Sequence, residues 1–192
     1  MTAPRVARGP RPFLAPIWIA ALAALLLAVV GVLGMRGVLG RLAQPTTTII
    51  LLRHAEKAPE PAADPPLSVA GQERARRLAA LLADEAGAGR VVAIYASDTR
   101  RARETAAPLA ARLSLDVSVR PGREARALAR EILKSHAGQT AVVIGHSNTV
   151  PQLLAELTDG GVRVSLGEGD FGSIFVITVS RAGPPAVLRL HY

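Results

Sequence analysis

Two histidines in this chain each follow an apolar run. Thr46-Thr47-Thr48-Ile49-Ile50-Leu51-Leu52 stops at Arg53-His54, and Ala141-Val142-Val143-Ile144-Gly145 stops at His146-Ser147-Asn148. A neutral imidazole can attack as a nucleophile near neutral pH, provided its other ring nitrogen is tied down and the tautomer fixed. A backbone carbonyl would serve as that tie for His54. The arginine beside His54 offers a planar, permanently charged fork of donors that matches the oxygens of a phosphoryl group. A phosphomonoester carries nearly two negative charges at neutral pH, so a nucleophile approaching it needs such a cation to offset repulsion. Chemistry on phosphate, with an imidazole attacking, is the reaction these residue types suit. A protonated His146 would add charge to the same pocket. Backbone amides at Ser147, Asn148 and Thr149, where a helix begins, could receive a phosphate oxygen.

The elements that must position these residues can be read from periodicity. Thr46–Leu52 is a β-branched strand. Ala58–Pro66 holds too many prolines for a helix or central strand and is expected as a rim loop. Ser68 caps a helix carrying Ala75, Leu78, Leu81 and Leu82, with Gly87 and Gly89 after it. A strand over Val91–Ala96, a helix over Thr99–Leu113 and a strand over Leu115–Val119 follow. Next come a helix from Arg123 to about His136, a strand over Thr140–Gly145 and a helix to Leu157. Phe171–Val179 and Ala186–Leu190 read as closing strands. Strands alternating with helices imply α/β architecture: a doubly wound, mostly parallel sheet with helices on both faces. In such sheets ligands bind at the carboxyl ends of the strands, where both histidines fall.

At three ordered blocks the sequence resembles the histidine phosphatase superfamily, also called the phosphoglycerate mutase-like family. The blocks are Leu52-Arg53-His54-Ala55-Glu56-Lys57, then Ser97-Asp98-Thr99-Arg100-Arg101-Ala102-Arg103-Glu104-Thr105-Ala106, then Gly145-His146-Ser147-Asn148-Thr149-Val150. The resemblance runs from about Thr46 to the C-terminus. It implies that His54 becomes phosphorylated and that Arg53, Arg101 and His146 line the phosphate pocket. Arg101 is selected by the family's pattern of Arg before Ala, ahead of the Thr, over its neighbours Arg100 and Arg103. The implied activity is that of a metal-independent phosphatase with no cofactor, acting on a phosphorylated small molecule or a phosphoprotein. A catalytically silent domain that binds a phosphate ligand, and a phosphomutase, are the alternatives.

The proton for the leaving group is less well specified. Many family members supply a glutamate from a long insertion after the third strand, but here Val119-Arg120-Pro121 passes almost directly into a helix. Glu124 is the nearest carboxylate and the candidate general acid, with Asp64, Glu56 and His146 as rivals. The family's small phosphohistidine phosphatases also lack the inserted glutamate. The short connection argues against a mutase, which must hold and reorient an intermediate.

Composition removes other function classes. With no cysteine there is no thiolate nucleophile, disulfide framework or thiolate zinc site. No His-x-x-x-His spacing supports a metal site built on His54 and His146. Five of the 23 basic residues (Arg5, Arg8, Arg11, Arg36, Arg41) lie in residues 1–44 without any acid, leaving 18 basic against 15 acidic residues in 45–192. No basic stripe with interleaved aromatics is present, so no nucleic-acid partner is expected. The oligomeric state is open. Arg74, Arg76, Arg77, Arg100 and Arg103 read as solvated helix faces, and His136 and His191 as surface residues.

Residues 12–35 carry no charge, and Ile17–Met35 is a nearly continuous apolar run of 19 residues. That approaches the roughly 20 needed to cross a bilayer and exceeds the roughly 7–15 of a signal-peptide core. Arg41 spoils a cleavage site before Gln44. The sequence therefore predicts residues 1–44 as a basic segment with an uncleaved single-pass transmembrane helix, followed by a catalytic domain over 45–192. Three arginines before the run against two after it favour a cytoplasmic N-terminus and a periplasmic or extracytoplasmic domain.

Overall fold

A computed structural model describes residues 17–42, 45–83 and 91–192. The chain divides into two units, Met1–Ala43 and Gln44–Tyr192. Among its described residues the first holds the helix α1 (Ile17–Leu42). Side chains within it are described at Ile19 and residues 21–35, and large apolar ones such as Leu25, Leu26, Leu27 and Leu33 are exposed. The expected transmembrane helix over Ile17–Met35 is not shown. The segment is helical, but among the described residues no helix is long and apolar enough to cross a membrane. The basic residues Arg5, Arg8, Arg11, Arg36 and Arg41, on which the orientation rests, lie outside the described side chains, as do Gln44, Gly87 and Gly89.

The second unit is a six-stranded mixed sheet in the order β3-β2-β4-β1-β5-β6. Its strands are β1 (Thr47–Arg53), β2 (Val91–Ser97), β3 (Val117–Arg120), β4 (Thr140–Gly145), β5 (Ser173–Ser180) and β6 (Gly183–His191). The helices are α2 (Val69–Ala83), α3 (Arg100–Leu113), α4 (Ala125–Ser135) and α5 (Thr149–Leu157). Strands β3, β2, β4 and β1 run parallel. Strands β5 and β6 are antiparallel, so the sheet is less uniformly parallel than the helix–strand alternation suggested.

Alternation within β1 explains the two layers. Ile50 and Leu52 face a core with Leu78, Ile94, Leu109 and Ile144, on the side of α2 and α3. Ile49 and Leu51 face the opposite core with Ile132, Val150, Leu154 and Phe175, on the side of α4 and α5. A strand covered on both faces reads as an unbroken apolar run for this reason. Fully burying each such side chain contributes about 1.5–3 kcal/mol, which fixes the register that delivers Arg53 to the rim. Leu52 pairs with Ile144 on β4 and Ile174 on β5. Because β5 is antiparallel, its first residues lie at the same rim as the ends of β1 and β4. The segment entering β5 must therefore pass the site.

Candidate active site

The ends of β1 and β4 are stitched together by His54 N–H donating to Gly145 O at 2.9 Å. His54 is 4% exposed and Arg53 9%, and the His54 and His146 ring centroids are 5.1 Å apart. His54 Nδ1 lies 2.7 Å from the carbonyl oxygen of Ala55. A carbonyl only accepts, so Nδ1 carries the proton and Nε2 presents its lone pair. Arg101 Nε donates to that Nε2 at 3.0 Å. The structure thus brings together Arg53, His54, Arg101 and His146 from three elements and supplies the backbone tie expected for His54.

Thr105 explains why a threonine follows Arg101 by one helical turn. Fully buried, its hydroxyl donates to Arg101 O at 2.7 Å and accepts Ala55 N–H at 3.0 Å. This clamps α3 to the segment after His54. Arg100 instead turns outward and pairs with Glu104 at 2.7 Å, and Arg103 is exposed. At the second histidine, a Cβ on Gly145 would fall 2.8 Å from Thr149 Oγ1. Glycine leaves room for that hydroxyl to accept His146 N–H at 2.8 Å. The hydroxyl of Ser97 lies 2.7 Å from His146 Nε2, so the other ring nitrogen faces away from that contact. Among the described residues, His146 Nδ1 and Arg53 Nε are both buried without a hydrogen-bond partner. Two orphaned polar atoms in one site are costly, and they mark where a polar ligand would bind.

Sequence reading missed the device that aims Arg53. Its Nη1 donates to the carbonyls of Gly167 and Glu168, both at 2.8 Å, with Asp170 O at 3.4 Å. The guanidinium lies 4.1 Å from the centroid of the Phe171 ring, a cation–π arrangement. Asp170 is itself held by Arg189 and Ser173, each at 2.7 Å. One edge of Arg53 is thus occupied by the segment entering β5, leaving Nε and Nη2 for a ligand. Burial is the largest cause lowering the Arg53 pKa, and Asp170 and Glu168 act in the opposite sense. Only the antiparallel direction of β5 places this segment here, and no motif marked it.

The expected acids separate. Glu56 is bound by Arg74 through Nε and Nη2 at 2.7–2.9 Å, and this contact is the largest cause lowering its pKa. That carboxylate is committed to an ion pair. Arg74, expected on a solvated face, is instead a partly buried strut that also reaches Tyr192 O at 3.0 Å. Asp64 accepts Arg100 N–H at 2.9 Å and lies 4.0 Å from Arg101 Nη1. Glu124 is exposed just before α4, makes no capping bond, and is absent from the lining of the cavity beside His146. That cavity, about 430 Å³, is walled by Asp98, Gly122, Arg123, Asn148, Thr149 and Gln152. His136, expected at the surface, is half-buried with Nε2 2.9 Å from Tyr95 Oη, whereas the His191 side chain is 67% exposed. Among the described residues no group of three or more His, Cys, Asp or Glu is arranged to hold a metal ion.

Residues 49–124, which include Arg53, His54 and Arg101, match the histidine phosphatase superfamily, branch 1. Members of that superfamily are phosphatases or phosphomutases. No curated protein matches the chain. Among solved structures it is similar to the protein histidine phosphatase SixA complexed with tungstate, at 21% identity and TM-score 0.59, covering 75% of this chain and 96% of that one. It is also similar to the mycobacterial glucosyl-3-phosphoglycerate phosphatase, at 17% identity and TM-score 0.59, covering 77% and 98%. A third similar structure is a phosphoserine phosphatase mutant from Entamoeba histolytica in complex with phosphoserine, at 16% identity and TM-score 0.55, covering 73% and 94%. At these identities the likeness shows the fold, a phosphoglycerate mutase-like mixed sheet flanked by helices.

Proposed function

We propose that this chain is a metal-independent phosphatase that hydrolyses a phosphomonoester or phosphoprotein through a phosphohistidine on His54. The observation that carries this reading is the bond from His54 Nδ1 to Ala55 O, which leaves the Nε2 lone pair among cationic donors. Nε2 attacks phosphorus and the ester P–O bond breaks, the leaving oxygen taking a proton from solvent. Water then attacks the phosphohistidine, the P–N bond breaks and the water's proton returns to solvent, releasing inorganic phosphate and restoring neutral His54. Arg101, Arg53 Nε and His146 hold the non-bridging oxygens and gain as charge redistributes during transfer. Glu124 stays outside the cavity lining, so aryl phosphates and phosphohistidine, which leave with little proton assistance, are the favoured substrates. The SixA likeness supports phosphohistidine as one of them.

The test is release of phosphate from p-nitrophenyl phosphate by the full chain in detergent, with excess EDTA. Turnover that survives chelation is expected. Activity lost on chelation and restored by zinc or magnesium would favour metal catalysis instead. No turnover of aryl phosphate, sugar phosphates or a phosphohistidine protein would favour a silent binding domain.

We also propose that Ile17–Met35 anchors the chain as a single pass, with the catalytic unit on the extracytoplasmic side. The charge-free stretch over residues 12–35 and the 26-residue helix α1 support this. At 1.5 Å per residue the apolar run Ile17–Met35 is about 28 Å long as a helix, close to a hydrocarbon core of about 30 Å. Resistance to carbonate extraction tests the anchor, and protease digestion of spheroplasts tests the side.

A further inference from the structure

The cavity beside His146 bears on what leaves, and the inference rests on the phosphatase reading. Strand β3 ends at Arg120 and α4 begins at Ala125, so Pro121–Glu124 is all that joins them. This connection is pressed against the second histidine. A Cβ on Gly122 would sit 3.3 Å from Thr149 Cγ2, 3.6 Å from His146 Cδ2 and 3.7 Å from Ser97 Cβ. The next residue, Arg123, is therefore carried to the cavity wall.

The neighbouring arginines are already engaged. Arg120 is bidentate to Glu131 at 2.7–3.0 Å, and Arg126 meets Glu156 at 3.0 Å. Arg101 faces His54 and Arg53 is clamped by the segment entering β5. Arg123 is exposed, lines the cavity, and among the described residues has neither an ion pair nor a hydrogen bond. Asp98, on the same cavity, acts on His146, so its side of the cavity repels an anion. The amides of Asn148 and Gln152 complete a polar lining.

We infer that this cavity is the leaving-group subsite and that Arg123 binds a second anionic group, carboxylate or phosphate, carried by a small phosphomonoester. A volume of about 430 Å³ lies within the roughly 300–1,000 Å³ of small-molecule sites. Arg123 receives the anion, Asp98 excludes it from the His146 side, and the two amides take hydroxyl or amide groups between.

The test compares 3-carboxyphenyl phosphate with 3-carbamoylphenyl phosphate, which match in size and differ in charge. The full chain should prefer the carboxylate in kcat/KM by roughly 10-fold, the scale of one charge-assisted contact. Arg123→Ala should bring the ratio close to one, mainly through KM, and Arg123→Lys should keep part of it. Arg130→Ala, an exposed position on the helix α4 that follows but outside the cavity lining, should leave the ratio as in wild type. A wild-type ratio near one, with both esters hydrolysed, would overturn this inference alone. Equal loss in Arg123→Ala and Arg130→Ala would reduce it to a diffuse field effect and overturn it as well. Failure to hydrolyse either ester while p-nitrophenyl phosphate is turned over would also overturn this inference alone, and failure on every phosphate named above would overturn the phosphatase reading with it.

Discussion

Arg101 Nε donates to His54 Nε2 across 3.0 Å, so the nitrogen proposed to attack phosphorus is held by a guanidinium donor. Burial is the main cause that keeps His54 neutral, and the Arg101 cation adds to it. In the proposed mechanism a phosphate oxygen would give the guanidinium a better acceptor and free the lone pair toward phosphorus.

That relationship sets the first prediction. Arg101→Ala should lower kcat/KM by roughly 10²-fold or more, the loss typical of one preorganised electrostatic donor. Arg101→Lys should recover little, since an ammonium cannot reproduce the planar fork. Arg100→Ala, whose side chain pairs outward with Glu104, should cost far less. Steady-state kinetics on p-nitrophenyl phosphate checks the order, and a larger loss in Arg100→Ala would reverse the assignment.

Phe171 is predicted to act through Arg53. Replacing it with Ala removes the ring 4.1 Å from the guanidinium and should lower kcat/KM by roughly 3- to 10-fold, the range of a partly desolvated cation–π contact. Phe171→Tyr should restore most of it. In an Arg53→Ala background the Phe171→Ala change should have little further effect, since the two form one unit. Additive losses in the double variant would contradict the clamp.

The pH dependence has its origin in burial. Desolvation is the largest cause holding the His54 pKa at about 4, opposed by the bond to Ala55 O and reinforced by His146, Arg101 and Arg53. His146 is also lowered to about 4, chiefly by burial and then by Arg101, with Asp98 opposing. Attack requires the unprotonated ring, so this activity is present above the folded pKa and lost as pH falls through about 4. After correction for substrate ionisation near pH 6, kcat/KM should show no enzyme ionisation at the roughly 6.5 of an ordinary histidine. The same shifts act on folding. Unfolded histidines take up protons near 6.5 and the folded ones do not, so stability should fall between pH 6.5 and 4. A free-enzyme acid limb at 6.5 would contradict the buried, neutral His54.

Much of this arrangement was legible in residues. The run Thr46–Leu52 was legible as a strand, and a strand there delivers the Arg53-His54 pair at its end to the rim. The middle block singled out Arg101, and Thr105 supplies the physical reason for that spacing, since its hydroxyl needs both Arg101 O and Ala55 N–H. The direction of β5 was not legible, because periodicity within a strand is the same whether it runs parallel or antiparallel. The clamp on Arg53 depends on that direction and on backbone carbonyls, which carry no sequence signature. Arg74 looked like one of several solvated helix arginines. Its pairing with Glu56 depends on how α2 packs against the segment after His54, a tertiary fact that spacing within α2 does not contain.

The central claim is covalent. Mixing the full chain with an aryl phosphate, quenching within the first turnovers and mapping the modified peptide by mass spectrometry under alkaline conditions should find an acid-labile phosphate on His54. The label should be absent in His54→Ala, which should also lose turnover. An unlabelled His54 during active turnover, a phosphate found on another residue, or wild-type activity in His54→Ala would contradict the account.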